Sequence, residues 1–553
     1  MAVANKIIEE LDFVNQINQT VTWDPAHWNI SPGSLAKMLI MGTFTDMRIP
    51  LTRIKERFEN IDTPYFLTPQ DKTGDLNEFN VGKALDRIAE KDYQQIYQTI
   101  ALNAIQKYQI PLTRLHSDTT TLSFYGEYDL QNSLLTEEEL KSLFKIEKGY
   151  NKDGRPQCKQ VVVGQITNQI GIPIINKIQS GATSDIDWNR QALNYLEQIR
   201  AKGFKVGLYV ADSKLMTQEH VTKMNTTKDR INFVSRCPAN FADKLENQMI
   251  SRAFEEGNWV EYGSFSEAKK KDVCTYRGVG FTQMVYGAPL RLVVLESSSL
   301  VAGVVRLYEK QQKELEPLIK KLTQPVYSCF KDAEAASKRF LALKQTRLFL
   351  FDIDIVKQEQ GVWPKGRRGL KTQPKIKITY QIVLKNIRCN EVAYKVFERE
   401  QSCFVLVSNA VGLADRELVL AYKGQVVVEN SFRLLKSPAV ASVIYLKDPC
   451  RIGVLSMLLV FALLVRALIE FRLRAGLAVF RMRNPEGSLC AGWSGRELSA
   501  PTFRLLYEHA FSCYFECEGL EGGYGFCWPH SDAQVRVGAL LDLLGYSLEQ
   551  LVE

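Results

Sequence analysis

Two aspartates each follow a run of residues that is typical of a buried strand. Asp118 ends the stretch LHSD, and Asp212 ends the almost wholly apolar stretch LYVAD. If the two strands are neighbours in one sheet, both carboxylates lie at the same edge and repel each other unless a cation lies between them. Oxygen ligands at a small open site suit Mg²⁺ or Mn²⁺. For either aspartate alone, a helix cap or a turn is the alternative interpretation.

A third carboxylate and several phosphate-binding groups could come from the stretch YKGQVVVENSFRLLK. On a helix its polar residues would form one stripe, because they are spaced 3, 4, 4 and 3 apart: Tyr422, Gln425, Glu429, Arg433 and Lys436. Glu429 would then lie among side chains that donate hydrogen bonds to phosphate oxygens. Gly424 and the three valines after Gln425 are poor helix formers, so tertiary packing would have to enforce this helix.

The elements around these residues predict an α/β fold. From Pro111 the pattern is a strand ending at Asp118, two strands joined around Asn168 to Gly171, and a helix ending near Gly203. The strand before Asp212, a helix over TQEHVTKMNTT and a strand over INFVSR follow. Alternation of this kind indicates an α/β core. Residues 1–110 are predicted to be a separate, mainly helical unit, and residues 241–405 a β-rich insertion.

Composition limits the class of protein. With 553 residues, two to four domains are expected, and a net charge of +8 is compatible with a polyanionic partner without requiring one. The N-terminus lacks the apolar segment of a secretory signal, so the eleven cysteines are predicted to be reduced thiols in a cytosol. Residues Ile452–Phe471 are apolar and long, but Arg466 lies inside the stretch, so a buried core helix is predicted rather than a membrane span.

Several segments, in this order, resemble those of a known family. DTTTLSFYGEY, GIPIINKIQSGATSD, ADSKLM and the stripe that contains Tyr422, Glu429 and Lys436 are similar to segments of bacterial insertion-sequence transposases of the Asp-Asp-Glu type. The resemblance is to the group with a Tyr-Arg-Glu-Lys signature and covers roughly residues 111–470. Gln425 stands where that signature has arginine, and Arg433, one turn beyond Glu429, is a candidate to replace it.

The resemblance implies an RNase H-like catalytic core interrupted by the β-rich insertion, with the helical N-terminal domain in front. Its implied activity is metal-dependent cleavage at transposon ends followed by strand transfer, that is, cut-and-paste transposition of an insertion sequence. Asp118, Asp212 and Glu429 would hold two Mg²⁺ or Mn²⁺ ions. The implied partners are terminal inverted repeats and target DNA, bound by a homodimer in the bacterial cytoplasm at the nucleoid, without a membrane. The implied domains are 1–110 (DNA binding), 111–240 and 406–475 (core), 241–405 (insertion) and 476–553 (possible dimerisation).

A basic run, Trp363 to Arg388, lies inside the insertion and has no acidic residue. Within a transposase, phosphate binding is the preferred interpretation, carried by Lys365, Arg367, Arg368 and Lys371. A solvated basic hairpin is the alternative. Trp363 could stack on a flipped base, although packing is the usual role of a tryptophan, and Trp188 is expected to pack.

Other polar groups are weaker candidates for a site. Asp185 and Asp187 are interpreted as caps at a helix N-terminus, and His116 as a packed residue. Asp352 and Asp354 on one strand face are an alternative metal pair. The tail contains four possible zinc ligands, although buried free thiols are more usual: Cys513, Cys517, Cys527 and His530.

Two other functions remain open from the sequence. An RNase H-like nuclease would cut DNA without joining ends, which a strand-transfer assay would detect. A catalytically impaired DNA-binding relative would bind ends without nicking them, and Gln425 keeps this alternative open.

Overall fold

Among the described residues, six α-helices precede the first strand, and helices and strands are mixed along the rest of the chain, which agrees with the predicted α/β class. The computed structural model describes residues 1–44, 53–59, 63–72, 76–126, 128, 144–226, 230–265, 274–363, 365, 373–437, 446–492, 495–510, 514–517, 524–527 and 531–552. Two compact units are distinguished. The first comprises Met1–Leu215, Lys223–Phe233 and Ala421–Glu553, and the second comprises Met216–Thr222 and Val234–Leu420.

The helices and strands are numbered here in chain order. Up to the end of the third strand they are α1 (Ala2–Glu10), α2 (Phe13–Thr20), α3 (Pro32–Met41), α4 (Ile54–Arg57), α5 (Glu78–Ala89), α6 (Tyr93–Lys107), β1 (Arg114–Phe124), β2 (Lys159–Asn168) and β3 (Pro173–Ser180). They continue with α7 (Asp185–Ala201), β4 (Leu208–Ala211), α8 (Gln218–Thr226), β5 (Asn232–Arg236), α9 (Leu245–Glu256), β6 (Val260–Ser264), β7 (Thr275–Val285), β8 (Ala288–Ser297), α10 (Ser298–Thr323), β9 (Val326–Tyr327) and α11 (Phe330–Leu341). The last are β10 (Phe349–Val362), β11 (Lys375–Cys389), α12 (Glu391–Ser402), β12 (Cys403–Ser408), α13 (Asp415–Lys423), α14 (Val426–Leu435), α15 (Pro449–Arg483), α16 (Phe503–Ala510), β13 (Tyr514–Cys517), β14 (Tyr524–Cys527), α17 (Ser531–Leu544) and α18 (Leu548–Val552).

The sheet of the first unit has the strand order β3-β2-β1-β4. Strands β1, β2 and β3 are antiparallel neighbours, and β4 runs parallel to β1. The predicted hairpin is confirmed. The Asn168 side chain accepts from the backbone N–H groups of Ile170 and Ile172, and Gly171 takes a positive φ of 87°. One boundary was wrong, because β1 does not end at Asp118 but stays paired with β2 as far as Phe124.

Helix α15 is the central helix of the first unit. Most of its residues from Ile452 to Leu468 are fully buried, and Phe461 meets Phe13 with ring centroids 4.5 Å apart. The guanidinium of Arg466 donates to the Thr43 carbonyl at 2.8 Å and lies over the Phe44 ring. By length and composition alone, one helix among the described residues is apolar enough to cross a membrane, and 83% of its apolar window is buried inside the protein. The prediction of a buried core helix is confirmed.

The N-terminal helices and the C-terminal tail both pack against α15. The Arg472 guanidinium pairs with Glu10 at 3.3 Å and also donates to the hydroxyl of Tyr546. Near the start of α15, the Arg451 guanidinium makes a bidentate ion pair with Asp86, at 2.6 and 2.7 Å. Residues 1–107 belong to the same compact unit as α15.

In the second unit the antiparallel strands follow the order β5-β12-β8-β7-β6. Among the described residues of the region 241–405, strands β6 to β11 occur together with four helices, including the 26-residue α10. The region predicted to be a β-rich insertion is therefore mixed α/β. The prediction overlooked α10, in which Val304, Leu315 and Leu322 are buried.

Strands β10 and β11 form a long two-stranded ribbon in the second unit, and β9 pairs with β11. Ile382 on the ribbon packs into a small apolar core with Leu322 and Phe340. Cross-strand ion pairs hold the two aspartates that were an alternative metal pair: Asp352 binds Arg388 at 3.0 Å, and Asp354 binds Lys385. Each of these carboxylates thus already has a basic partner on the opposite strand.

Candidate active site

Strand β1 places Asp118 near the middle of the sheet of the first unit. It lies opposite Gln165 of β2, and its side chain is 23% exposed, although both neighbouring residues are buried. The backbone N–H of Thr119 donates to Oδ1 of Asp118 at 2.7 Å. A carboxylate held in this way has little freedom to move away from its neighbours.

Asp212 follows the last residue of β4 and comes level with Asp118. The parallel register puts His116 opposite Val210, so two residues further on the chains bring the two aspartates side by side. The backbone N–H of Lys214 donates to Asp212 at 3.2 Å, and Asn189 donates to it at 3.5 Å. The juxtaposition that the sequence predicted from two strand ends is therefore present.

Glu429 lies in α14, but the continuous helix predicted for its stripe is broken. Helix α13 ends at Lys423 and α14 begins at Val426, with Gly424 and Gln425 between them. A Cβ atom at Gly424 would lie 2.9 Å from the His116 ring, so glycine permits this close approach to β1. The break leaves Gln425 as the N-cap of α14 and Lys436 as its C-cap.

A fourth carboxylate belongs to the group, and its predicted role was wrong. Ser184, not Asp185, caps α7 by accepting from the N–H of Asp187 at 3.2 Å. Asp187 supports that cap, since it accepts from the Ser184 hydroxyl at 2.6 Å. Asp185 instead accepts from the Thr119 hydroxyl, beside Asp118. The SDID pattern suits either residue as the cap, which is why the sequence did not separate them.

Lys152 places an ammonium group among these carboxylates. Its Nζ lies 3.2 Å from Asp185 and 3.5 Å from Asp118, and it donates to Oγ1 of Thr119 at 2.6 Å. The residue sits in the turn Asn151–Gly154, well before β2 in the chain. Sequence reasoning missed it, because nothing in GYNKDGRP distinguishes this lysine from one in an ordinary surface turn.

The pKa values of Asp118, Asp212 and Lys152 are shifted by burial and by the charges of their neighbours. Burial, together with the charges of Asp185 and Asp118, raises the pKa of Asp212 to about 6. Burial also raises the pKa of Asp118. The Lys152 charge and the Thr119 N–H oppose this shift, whereas Asp185 and Glu429 add to it. For Lys152, burial lowers the pKa, but Asp118 and Asp185 outweigh burial and the net shift is upward.

This donor set fits a hard divalent cation in its chemistry, because carboxylate oxygens that repel one another gain from a positive charge between them. Among the described residues, no three His, Cys, Asp or Glu side chains are grouped closely enough to hold a metal ion in this arrangement. The positive charge between Asp118 and Asp185 is that of Lys152.

The residues predicted to contact DNA fall into two groups. In the first unit, Lys436 pairs with Asp153 at 2.5 Å, Arg433 is exposed, and Tyr422 and Gln425 are partly exposed. In the second unit, Lys365 is exposed after the end of β10. Arg367, Arg368 and Lys371 lie outside the described residues.

Several minor predictions can be compared with the structure. Trp188 packs as predicted, since it is 1% exposed and donates to Ser117 at 2.9 Å. His116 is also buried, and burial lowers its pKa to about 4. Trp363 is 43% exposed.

Of the four possible zinc ligands, Cys513 and His530 lie outside the described residues, and the backbone places Cys517 and Cys527 on the paired strands β13 and β14.

Comparison with known proteins yields a family match and matches among solved structures. A family described as a domain of unknown function (DUF4277) matches residues 1–102. No curated protein matches the chain. Among solved structures, the chain is similar to the piggyBac transposase synaptic complex with hairpin DNA, determined by cryo-EM, at 9% identity and a TM-score of 0.36. The alignment covers 78% of this chain and 64% of that one. A likeness this distant carries no argument about function, so the interpretation depends on the site itself.

Proposed function

We propose that the chain is a DNA transposase that cleaves transposon ends and joins them to target DNA, as in cut-and-paste transposition of an insertion sequence. The observation that carries this proposal is the grouping of Asp118 and Asp185 at 3.5 and 3.2 Å from Lys152, with Asp212 level with Asp118 on the neighbouring strand. The charge of Glu429 also acts on Asp118. The strand order β3-β2-β1-β4, with β4 parallel to β1, supports an RNase H-like core.

In this proposal, Asp118, Asp212 and Glu429 would hold two Mg²⁺ or Mn²⁺ ions, which when bound activate the attacking oxygen and stabilise the leaving oxygen of the phosphodiester. The protein contributes position and charge. The Thr119 and Lys214 N–H groups fix the two aspartates, and Asn189 links Asp212 to Tyr209, whose hydroxyl donates to Asn189 at 3.1 Å. Lys436 and Arg433 would bind the phosphates of the transposon end, with Tyr422 and Gln425 beside them.

The wider proposals follow from the same chemistry. Two transposon ends have to be brought together before they are joined to a target, so the DNA complex is proposed to be a homodimer. The basic segment after β10, with Lys365, Arg367, Arg368 and Lys371, is proposed to bind DNA phosphates. The proposed setting is the bacterial cytoplasm, at the nucleoid. The domain boundaries at 110, 240, 405 and 475 stay predictions.

A catalytically impaired relative is the second candidate. Gln425 is a neutral amide at the N-cap of α14, where the resembling family has a guanidinium, so one charged phosphate contact is missing there. Arg433 lies two turns further along α14 from Gln425 and is exposed, which keeps it available for a phosphate. Replacing Gln425 with arginine should tighten binding to transposon ends if this loss matters.

The decisive experiment combines cleavage and joining. The purified protein is incubated with Mg²⁺ or Mn²⁺, a labelled duplex that carries the element's own terminal repeat, and a target plasmid. Cleavage followed by joining is expected for the wild type. Asp118→Ala, Asp212→Ala and Glu429→Ala should each abolish both steps, while DNA binding survives. Cleavage without joining would indicate the nuclease alternative. Wild-type cleavage by any of the three variants would remove that residue from the site.

A further inference from the structure

The turn Asn151–Gly154 makes contacts with two groups of the proposed site at once. Lys152 points toward Asp118 and Asp185, and the next residue, Asp153, pairs with Lys436 at 2.5 Å. Lys152 and Asp153 therefore bring opposite charges to two different groups of the site. Each meets a residue of the opposite sign, at the positions where a metal ion and a DNA phosphate are proposed to bind.

Hydrogen bonds to a row of hydroxyl groups attach this turn to β1. Lys152 Nζ donates to Thr119 Oγ1 at 2.6 Å and to the Thr119 carbonyl at 3.0 Å. The backbone N–H of Lys152 donates to Thr121 Oγ1 at 3.2 Å, and the Asn151 amide donates to Ser123 Oγ at 2.9 Å. Alternate residues of a strand share one face, so Thr119, Thr121 and Ser123 form a single polar face that receives the turn.

The turn itself has a defined shape. The Asn151 side chain accepts from the N–H of Asp153 at 2.9 Å and from the N–H of Arg155 at 3.1 Å, and Gly154 takes a positive φ of 70°. These bonds fix the backbone that carries Lys152 and Asp153. A partly buried ammonium group needs ionic or hydrogen-bond partners to offset the loss of its hydration. The observed position of Lys152 is therefore most stable when no other cation is bound to the carboxylates.

We propose that the turn Asn151–Gly154 is an internal occupant of the site, in which Lys152 takes the place of a divalent cation and Asp153 takes the place of a DNA phosphate. This inference rests on the proposed function of Asp118, Asp212 and Lys436. Metal ions and DNA compete with the turn, so each binds more weakly to the resting protein than to a protein without these two charges. The DTTTLS segment therefore has a second role besides supplying Asp118, namely to hold the occupant.

The first test measures metal binding without DNA. Mn²⁺ is titrated into the full-length protein, and free Mn²⁺ is followed by electron paramagnetic resonance. Lys152→Met is expected to bind Mn²⁺ about tenfold more tightly than wild type, because one competing positive charge is gone. Lys152→Arg keeps the charge and should stay near the wild-type affinity. Lys148→Met, an exposed lysine in the same segment, makes the same change in net charge and should have no effect.

The second test measures DNA binding without metal. A fluorescent duplex with the terminal repeat is titrated in EDTA, and fluorescence anisotropy gives the affinity. Asp153→Asn should bind several-fold more tightly than wild type, because Lys436 is freed for phosphate. Glu486→Gln removes one exposed negative charge elsewhere and controls for the general effect of net charge. Asp153 is itself one-third exposed, so its substitution is not expected to disturb folding.

The outcomes separate the two proposals. If Asp212→Asn loses the Mn²⁺ site of the wild type but Lys152→Met binds Mn²⁺ no more tightly than wild type, the internal occupant is refuted and the metal site stands. Equal DNA affinities for Asp153→Asn and Glu486→Gln would likewise refute the role of Asp153. If neither the wild type nor Lys152→Met binds Mn²⁺ in a way that depends on Asp212, the proposed function fails, and the internal occupant fails with it.

Discussion

Replacing Asp212 with asparagine should make the metal-free protein more stable while it abolishes cleavage. Burial and the charges of Asp185 and Asp118 raise the pKa of Asp212 to about 6, from an ordinary value of 3.8. The folded state thus holds a proton on Asp212 more tightly than the unfolded state does. The resulting penalty is absent below about pH 4, grows as the pH rises to about 6, and stays constant above that.

The size of the effect follows from the shift. A difference of about 2 pKa units corresponds to about 3 kcal/mol, and partial solvent screening reduces this to about 1–3 kcal/mol. Asparagine has nearly the same shape and no charge, so Asp212→Asn should recover this free energy of unfolding at pH 8. For a unit of this size, the thermal midpoint should rise by about 1–4 °C.

The assay is thermal unfolding of wild type and Asp212→Asn, followed by circular dichroism between pH 4.5 and 8 in EDTA. The difference in midpoint should be small at pH 4.5 and largest above pH 6. Adding Mn²⁺ should then stabilise the wild type and leave the variant unchanged, since a ligand stabilises only the state that binds it. A variant that is less stable than wild type at pH 8, or a difference that does not change with pH, would refute the electrostatic reasoning.

Three other predictions follow from particular contacts. Gly424→Ala should weaken strand cleavage at least tenfold, with a smaller loss of DNA binding. The reason is that the alanine Cβ would lie 2.9 Å from the His116 ring and displace α14. Unchanged cleavage would show that the break between α13 and α14 tolerates a side chain. Neutralising Lys365, Arg367, Arg368 and Lys371 together should lower the slope of log affinity against log salt by up to about 3–4 in a filter-binding assay, and an unchanged slope would exclude these residues from phosphate contact. Trp188→Ala should lower the free energy of unfolding by about 3–5 kcal/mol, as measured by urea denaturation, because the ring is fully buried and packs on Gly164; a loss below about 1 kcal/mol would contradict this packing.

The parts of the fold with a local signal could be predicted from the sequence. The β2–β3 hairpin is encoded by Asn168 and Gly171, and α7 ends at Ala201, two residues before Gly203, which takes the positive φ that glycine allows. The strands next to Asp118 and Asp212 could be recognised from the sequence, although β1 continues past Asp118 to Phe124. The burial of α15 was predictable because a charge, Arg466, lies inside an otherwise apolar stretch.

The rest depends on contacts between distant segments. Lys152 is 34 residues from Asp118 and 60 from Asp212, and a lysine in a polar turn gives no sign of its partners. Asp185 fits a helix cap as well as Ser184 does, and only the position of Thr119 decides between them. The break at Gly424 was signalled by poor helix formers, but its cause is the approach to His116, which requires the folded sheet.

The position of α15 has a consequence for how the protein folds as it is made. The N-terminal helices end at Lys107, yet the helix that completes their core ends at Arg483, which is 483 − 107 = 376 residues later. At about 5–20 residues per second, the ribosome needs about 20–75 s to supply it. During that interval side chains such as Phe13 lack their final partner, Phe461. Residues 1–102 are therefore a region whose folding waits for the C-terminal third of the chain, and they are a natural client for chaperones during synthesis.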